Sequence, residues 1–430
     1  MYIYHPQPSS TRVKTMNTKI VAVALVAILV VAGVAVFFLM GGKGGSTSDE
    51  KGLSIVGRVN SEGSGIILDP EENEDDYITV TDEPLLGSYT IYNKSEGKYY
   101  NLHANGWGGK IFATPGTATI QHVQLATLAA GMGLNFAMYT EGSTPKADTL
   151  YYVPSIASFA DFVNAQKNTD LAGFIIWEAQ YSVGVVEGYK GLVTTNSLFE
   201  DHTCCIIGAS NKYLKNNEDA FVTFLSVYAN AVDKINGALA NKASTEYNDL
   251  VNIAMNRVTM PDSMTEAEKR EAIESALDNV TYVYADDYAG SLDDLEEDIA
   301  SLAQNLYDVG AIEKTAKSLG FKDYEAMADK FVDDKYITEA LQIDAGKLSA
   351  KATVNVAAIK GDIHQIALWY AKDTGMFDAM NLNVVISQQV NGPGVYTQLA
   401  NGESDIGFLG APPMTIRSVN GEQIHARAYR

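Results

Sequence analysis

The chain has 430 residues, 46% of them hydrophobic, enough for two or three packed units. Its 53 acidic residues against 31 basic ones leave a net charge of −22, which excludes a phosphate-neutralising surface and so argues against nucleic acid as a partner. Only two cysteines occur, adjacent at Cys204 and Cys205, so a disulfide framework is excluded.

From the N-terminus, Arg12, Lys14 and Lys19 precede an uninterrupted apolar run, Ile20–Met40. Such a run is long enough to cross a bilayer as a helix. It exceeds the apolar stretch of a secretory signal, and no cysteine follows it to carry a lipid. The expectation is an uncleaved, single-pass anchor in the cell membrane. Residues 1–19 would be cytoplasmic, 20–40 would span, and the rest would be extracytoplasmic; a cleaved signal is the alternative. Met16 would itself begin an ordinary anchor, so residues 1–15 read as an upstream start. The glycine-rich stretch 41–52 reads as a flexible linker.

Beyond it, Leu53–Val59 and Gly65–Leu68 read as strands. The acidic Asp69–Asp76 lacks the spacing of an EF-hand and reads as a solvated loop. Strand Lys110–Thr114 and helix Ile120–Gly131 follow, then apolar strands Phe174–Trp177 and Cys204–Ala209 and the amphipathic helix Ala220–Ile235. Cys204 and Cys205 read as small hydrophobes of a buried strand, with a vicinal disulfide as the alternative. His202 alone does not complete a zinc set with them. Acidic helices are expected at Thr265–Asn279, Ser291–Asp308, Glu313–Leu319, Tyr324–Phe331 and Ile337–Leu341. Thr265 and Glu268 fit a capping box; Ser291 and Asp294 fit a looser one. Residues 346–352 read as a linker. The tail then alternates strand Val354–Ile359, helix Ile363–Thr374, strand Asn383–Ser387, helix Gly394–Asn401, strand Asp405–Leu409, helix Pro412–Val419 and strand Ile424–Tyr429. Alternating strands and helices indicate an α/β fold with mainly parallel sheets. Asn93-Lys94-Ser95 and Asn279-Val280-Thr281 are sequons of a kind frequent by chance. No nucleophile–base set and no phosphate-binding glycine loop is present.

The tail TVNVAAIKGDIHQIALWYAKDTGMFDAMNLNVVISQQVNGPGVYTQLANGESDIGFLGAPP resembles the opening half-lobe of the nitrate/sulfonate/taurine-type substrate-binding proteins of ABC importers. GESDIGFLGAPP is its most specific piece. KIFATPGTATIQH, AGFIIWEAQYSVGVVEGYKGLV, DHTCCIIGASNKYLKNNEDAFVTFLSVYANAVDKIN and FVDDKYITEAL resemble the later parts of the same family, yet they come first. The resemblance therefore implies a two-lobed periplasmic-binding-protein type II fold, circularly permuted. Residues 53–104 would end lobe 1 and cross over with an insertion, 105–203 would form lobe 2, 204–345 would return to lobe 1 and its C-terminal helices, and 353–430 would supply the first part of lobe 1. Gly421–Arg427 aligns with Gly52–Arg58, as though one strand were written twice; a chance match, a swapped dimer and parts of two tandem domains stay open.

In that family the solute sits between lobes, at strand ends where helices begin and their N–H groups suit anions. The resemblance places there His364 and Gln365, Gly392 and Gly394, Gly410, Ala411 and Pro412, Ser61, Glu62 and Ser64, Thr117 and Thr119, and Trp177 and Glu178. Bland roles stand beside these. His364 could cap a helix, Ser61 and Ser64 a turn, Thr117 and Thr119 a helix end, and Trp177 could be core. Glu178 would repel an anion but accept an amine, which leaves amino-sulfonates and organic cations open. No catalytic residue, metal ligand or cofactor is implied. The expected function is extracytoplasmic capture of a small, anionic solute for an ABC permease and its ATPase. The alternatives are a membrane-anchored sensor or adhesin and an enzyme like the thiamine-pyrimidine synthases, whose cysteine-rich motif and cofactor lysine are missing here.

Overall fold

The computed structural model describes residues 52–285, 292–342 and 347–421. The expected membrane span, most of the first linker, Ser291 and the strand at Ile424–Tyr429 lie outside them. Among the described residues no helix is long and apolar enough to cross a membrane.

Strand β1 (Leu53–Glu62) is buried along its whole length, and only Gly63 separates it from β2 (Ser64–Leu68), buried likewise. Gly63 takes φ +84, and a Cβ there would lie 2.3 Å from His364 Nε2. Glycine meets both demands because it carries no side chain. The chain uses this one residue to leave one sheet and enter another.

Strands β3 (Ile78–Thr81), β4 (Tyr89–Asn93) and β5 (Lys98–Leu102) form a small antiparallel sheet in the order β3-β5-β4. Its apolar residues Tyr77, Ile78, Tyr100 and Leu102 share a core with Trp107, Phe112 and Leu128. A six-stranded sheet contains β6 (Ile111–Ala113), β7 (Asn135–Met138), β8 (Thr149–Val153), β9 (Gly173–Trp177) and β10 (Lys190–Thr194), in the order β10-β2-β9-β6-β8-β7. A second six-stranded sheet adds β11 (Thr203–Ser210), β12 (Val280–Tyr282), β13 (Ala352–Ile359), β14 (Leu382–Gln389) and β15 (Ile406–Gly410) to β1, in the order β12-β1-β11-β15-β13-β14. The residues packed on each six-stranded sheet are called the β1 lobe and the β2 lobe; both belong to one compact unit.

The expectation of mainly parallel sheets is corrected. Three of the five neighbour pairings in the β1 sheet are antiparallel, as are two of the five in the β2 sheet. In these two sheets the antiparallel ladders all involve β1, β2 or β11, strands that flank the two crossings between lobes. Val354–Ile359 does share a sheet with Leu53–Glu62 and Thr203–Ser210, but Ser64–Leu68 belongs to the other lobe. The helix expected at Glu313–Leu319 is reduced to one 3-10 turn, Ala316–Leu319, which ends at Gly320 with φ +89. Leu292, not Ser291, precedes the helix Asp293–Asp308. At Thr265 the capping box closes as expected: Thr265 N donates to Glu268 Oε2 at 2.7 Å, and Glu268 N to Thr265 Oγ1 at 3.3 Å. The small sheet and the helices Phe159–Gln166 and Thr245–Arg257 were not legible.

The C-terminal segment is packed into the β1 lobe, not beside it. Phe224, on the helix Glu218–Ala240, stacks on Phe377 with centroids 5.1 Å apart and meets Phe408 edge-on at 6.3 Å. All three are fully buried. The helix Glu266–Asp278 spans the lobes: Ala272 joins the core of the β2 lobe, while Ile273 and Leu277 join that of the β1 lobe.

Phe224→Ala is therefore expected to lower unfolding free energy by about 3–5 kcal/mol in urea titrations, the usual range for an emptied aromatic core site. A chain stopped after Gln342 is expected to lose its cooperative unfolding transition, because β11 would lose β15 and expose a bare edge. A soluble, cooperatively melting truncation would contradict this packing.

Candidate functional site

The site starts from a register slip. In the ladder between β1 and β11, Asn60 faces Cys205 and Ser61 faces Thr203, so Cys204 has no opposite number. Such an extra residue is a bulge. Adjacent strand residues normally point to opposite faces. Here the two sulfurs lie 3.8 Å apart on one side. Both cysteines are buried and unbridged.

His364 reaches the same place from the far end of the chain. It lies in the 3-10 turn Ile363–Gln365, just after β13, with Asp362 as the cap. Asp362 Oδ1 accepts from His364 N at 3.0 Å and lies 2.8 Å from Nδ1 of its ring. The other ring nitrogen, Nε2, lies 2.8 Å from the carbonyl of Gly63. That carbonyl also accepts from Glu178 N at 2.9 Å. Both ring nitrogens face oxygen acceptors, so the ring carries both protons. Burial pulls its pKa down, but the Asp362 carboxylate and Cys204 outweigh burial and raise it to about 10. The Cys204 thiol is shifted down, first by the hydrogen bond from Cys205 and then, against burial, by the His364 charge. The same bond and burial push Cys205 up. The sulfurs and one His364 nitrogen all lie within 4.8 Å of one another. Two thiols and an imidazole form a donor set suited to soft or borderline metals.

These residues are the floor of a cavity of about 310 Å³ between the lobes. From the β2 lobe come Thr117–Gln121, Ser155 and Trp177. From the β1 lobe come Asn391–Pro393, Gly410, Pro413 and Arg417. Three helices begin at the walls: Ile120–Gly131, Gly392–Ala400 and Ala411–Asn420. Their free amides are few. Thr119 accepts from His122 N and Asn391 from Gly394 N. Pro393, Pro412 and Pro413 carry no N–H at all. The helix dipoles still favour negative charge, and Arg417 adds a cation at the exposed rim, 5.9 Å from the Tyr396 ring. A larger groove of about 780 Å³ lies along Ala300–Glu325, but none of its ionisable residues is buried.

Of the residues singled out from sequence, His364, Gly392, Gly410, Thr117, Thr119 and Trp177 line this cavity. The others serve the frame. Gln365 accepts from Ile359 N and donates to Asp362 Oδ2 and the Phe408 carbonyl. Glu62 accepts from Asp201 N and Thr281 Oγ1, and burial raises its pKa. Ser61 contacts Arg58 Nη1, and Ser64 Oγ accepts from Gln121. Gly394, Ala411 and Pro412 sit in the first helical turns away from the cavity lining. Glu178 is fully buried, held by Ser182 and Asn279. Burial raises its pKa, against those hydrogen bonds. It is not among the residues that line the cavity.

Sequence reasoning missed Ser155 and Arg417 and set Cys204 and Cys205 aside as core. Asp362 fell inside the candidate loop 361–365, two residues before His364, but was given no role of its own. The cysteines looked like core because apolar residues flank them. His202 is not their partner. Its Nδ1 donates to the Phe199 carbonyl at 2.6 Å, and Gln124 meets Nε2 at 3.0 Å. Burial holds it neutral, with a pKa pulled down to about 4.

No protein-family model matches this sequence, and no curated protein matches it. Among solved structures, the fold is similar to the ligand-binding component of an ABC-type import system from Staphylococcus aureus, solved with zinc bound. That likeness has a TM-score of 0.42 and 13% identity, over 67% of this chain and 75% of that one.

The two histidines predict opposite pH dependences. For His202 the folded pKa, about 4, lies below the ordinary 6.5. Its contribution is present above 6.5 and is lost as pH falls toward 4. His122, also lowered to about 4, acts in the same window. For His364 the folded pKa, about 10, lies above 6.5, so its contribution is complete below 6.5 and fades as pH rises through 10. Imidazole NMR titrations are expected to show His364 still doubly protonated at pH values where His202 is neutral. Simultaneous titration of the two would overturn the assignment.

Proposed function

We propose that this protein captures a small anionic solute between its lobes, outside the cell, and delivers it to an ABC permease and its ATPase. One observation carries the reading: a solute-sized cavity lies between two sheets, walled by helix starts from both and floored by residues from two distant parts of the chain, Cys204 and Cys205 on one side and Asp362 and His364 on the other. The chain passes between the lobes at Gly63 and again at Thr195–His202, which permits closure about short connections. Closure would bring Thr117 and Trp177 toward Asn391 and Arg417, so that binding and domain motion are coupled. The resemblance to nitrate/sulfonate/taurine-type binding proteins supplies the solute class and the transporter partners. The apolar run Ile20–Met40 would tether the module to the membrane.

The inverted order of the family's motifs belongs to the same proposal. Residues 352–410 supply three strands of a sheet whose other strands come from residues 53–62, 203–210 and 280–282. A circular permutation accounts for that arrangement, since completing the sheet does not require the segments to be written in one particular order.

Calorimetric titration with nitrate, taurine and short alkyl sulfonates tests the reading. A bound solute is expected to raise the melting temperature, by about 2.7 kcal/mol of stabilisation at a hundredfold excess over Kd. Arg417→Ala is expected to weaken binding about tenfold, or about 1.4 kcal/mol, with little effect on melting because Arg417 is exposed. Binding of none of these anions, with Trp177 emission unchanged, would reject capture; turnover of a solute would point instead to an enzyme.

A further inference from the structure

We propose that Cys204, Cys205 and His364 bind one zinc ion at the floor of the interlobe cavity, with a fourth coordination position open toward the cavity. The proposal rests on the capture reading only for the role of that fourth position; metal binding itself stands apart.

The sulfur spacing suits zinc. Zinc binds thiolates at about 2.3 Å, so two sulfurs on one tetrahedral zinc stand about 3.8 Å apart. The sulfurs of Cys204 and Cys205 are 3.8 Å apart already. This spacing depends on the bulge, because a regular strand would send one side chain through the sheet. A disulfide would need the sulfurs at about 2.0 Å. The third donor lies within 4.8 Å of both sulfurs, where a zinc-bound imidazole would stand about 3.6 Å from them. A small shift of the His364 ring closes that gap.

A carboxylate stands behind His364. Metal-binding histidines usually give their other ring N–H to a carboxylate, which fixes the tautomer and the ring plane. Asp362 Oδ1 is 2.8 Å from His364 Nδ1 and only 5% of its side chain is exposed. Nε2 is then the nitrogen that faces a metal, exchanging its present contact with the Gly63 carbonyl. Gly63 makes room for the ring, since a Cβ there would lie 2.3 Å from Nε2. On binding, both thiol protons and the Nε2 proton leave to solvent. Two thiolates neutralise the dication, which a buried site requires.

Three protein ligands leave a tetrahedral zinc one position. All three residues line the cavity, with Thr117, Gly392 and Arg417 on its walls. A metal-bound anion would find there the negative ligand's usual partners, and would not depend on the helix amides that three prolines remove.

The test uses the full chain, reduced and freed of metal by a chelator. Anaerobic titration with cobalt(II) is expected to give one equivalent of binding and a thiolate-to-cobalt charge-transfer band, abolished by added zinc. Cys204→Ser with Cys205→Ser is expected to remove the band. Asp362→Asn is expected to keep the band and weaken zinc binding about 10–100-fold; should the double variant fail to fold by circular dichroism, this second variant carries the test. Absence of the band in the unmodified chain, or equal zinc affinity in the folded double variant, would overturn the site. Taurine and nitrate titrations with and without chelator separate the two readings. Anion binding that persists in chelator with no cobalt band removes the metal and leaves capture standing; a cobalt band without anion binding keeps the metal and removes capture.

Discussion

The antiparallel ladder between β11 and β15 holds this molecule together. It pairs Cys205 with Gly410 and Ala209 with Ile406, so a strand near residue 207 receives its partner from near residue 408. β11 is central, with β1 on its other side. Buried backbone N–H and C=O groups must be paired, so the strand cannot do without either neighbour. The ladder also sets the site. Its last pair puts the start of the helix Ala411–Asn420 directly beside the two thiols.

From that ladder the cleft floor follows with few further devices. A bulge opposite Asn60 and Ser61 turns two sulfurs to one side. Gly63 lets the chain change lobes and lets His364 approach. Asp362 and the Gly63 carbonyl keep the ring in place from both ends. The same carbonyl accepts from Glu178 of the β2 lobe. One backbone oxygen thus joins the crossing point, the floor and the second lobe.

The walls carry less polar recognition than three helix starts suggest. Caps use two of the amides and prolines remove three more. Charge in the cleft is therefore concentrated in a few groups: a buried imidazolium on a carboxylate, a thiol made acidic by its neighbour, and one arginine at the rim. The overall charge of −22 does not describe this local field. Low dielectric at the floor makes each such group count for more than it would at the surface.

Much of the fold was legible. The helix Ile120–Gly131, the helix Tyr324–Phe331 and the capping box at Thr265 stand where periodicity and cap chemistry put them. The strands Cys204–Ala209 and Val354–Ile359 were found within one or two residues. The small sheet at Ile78–Leu102 was not, because its strands are short and partly exposed, which leaves no clean apolar alternation. Within the site, loops named by glycine and proline were found, and Glu178 was misplaced because burial cannot be read from a residue type.

Local pattern determined which segments are strands and helices, since side-chain period and cap residues act within a few positions. It also determined that glycines and prolines would crowd the strand ends. Only the tertiary structure decided that Cys204, Cys205 and His364 meet, that β2 leaves the sheet of β1, and that the ladders are mixed. Those outcomes depend on pairings across some 150 to 300 residues, and no local preference encodes which distant strand will satisfy a buried edge.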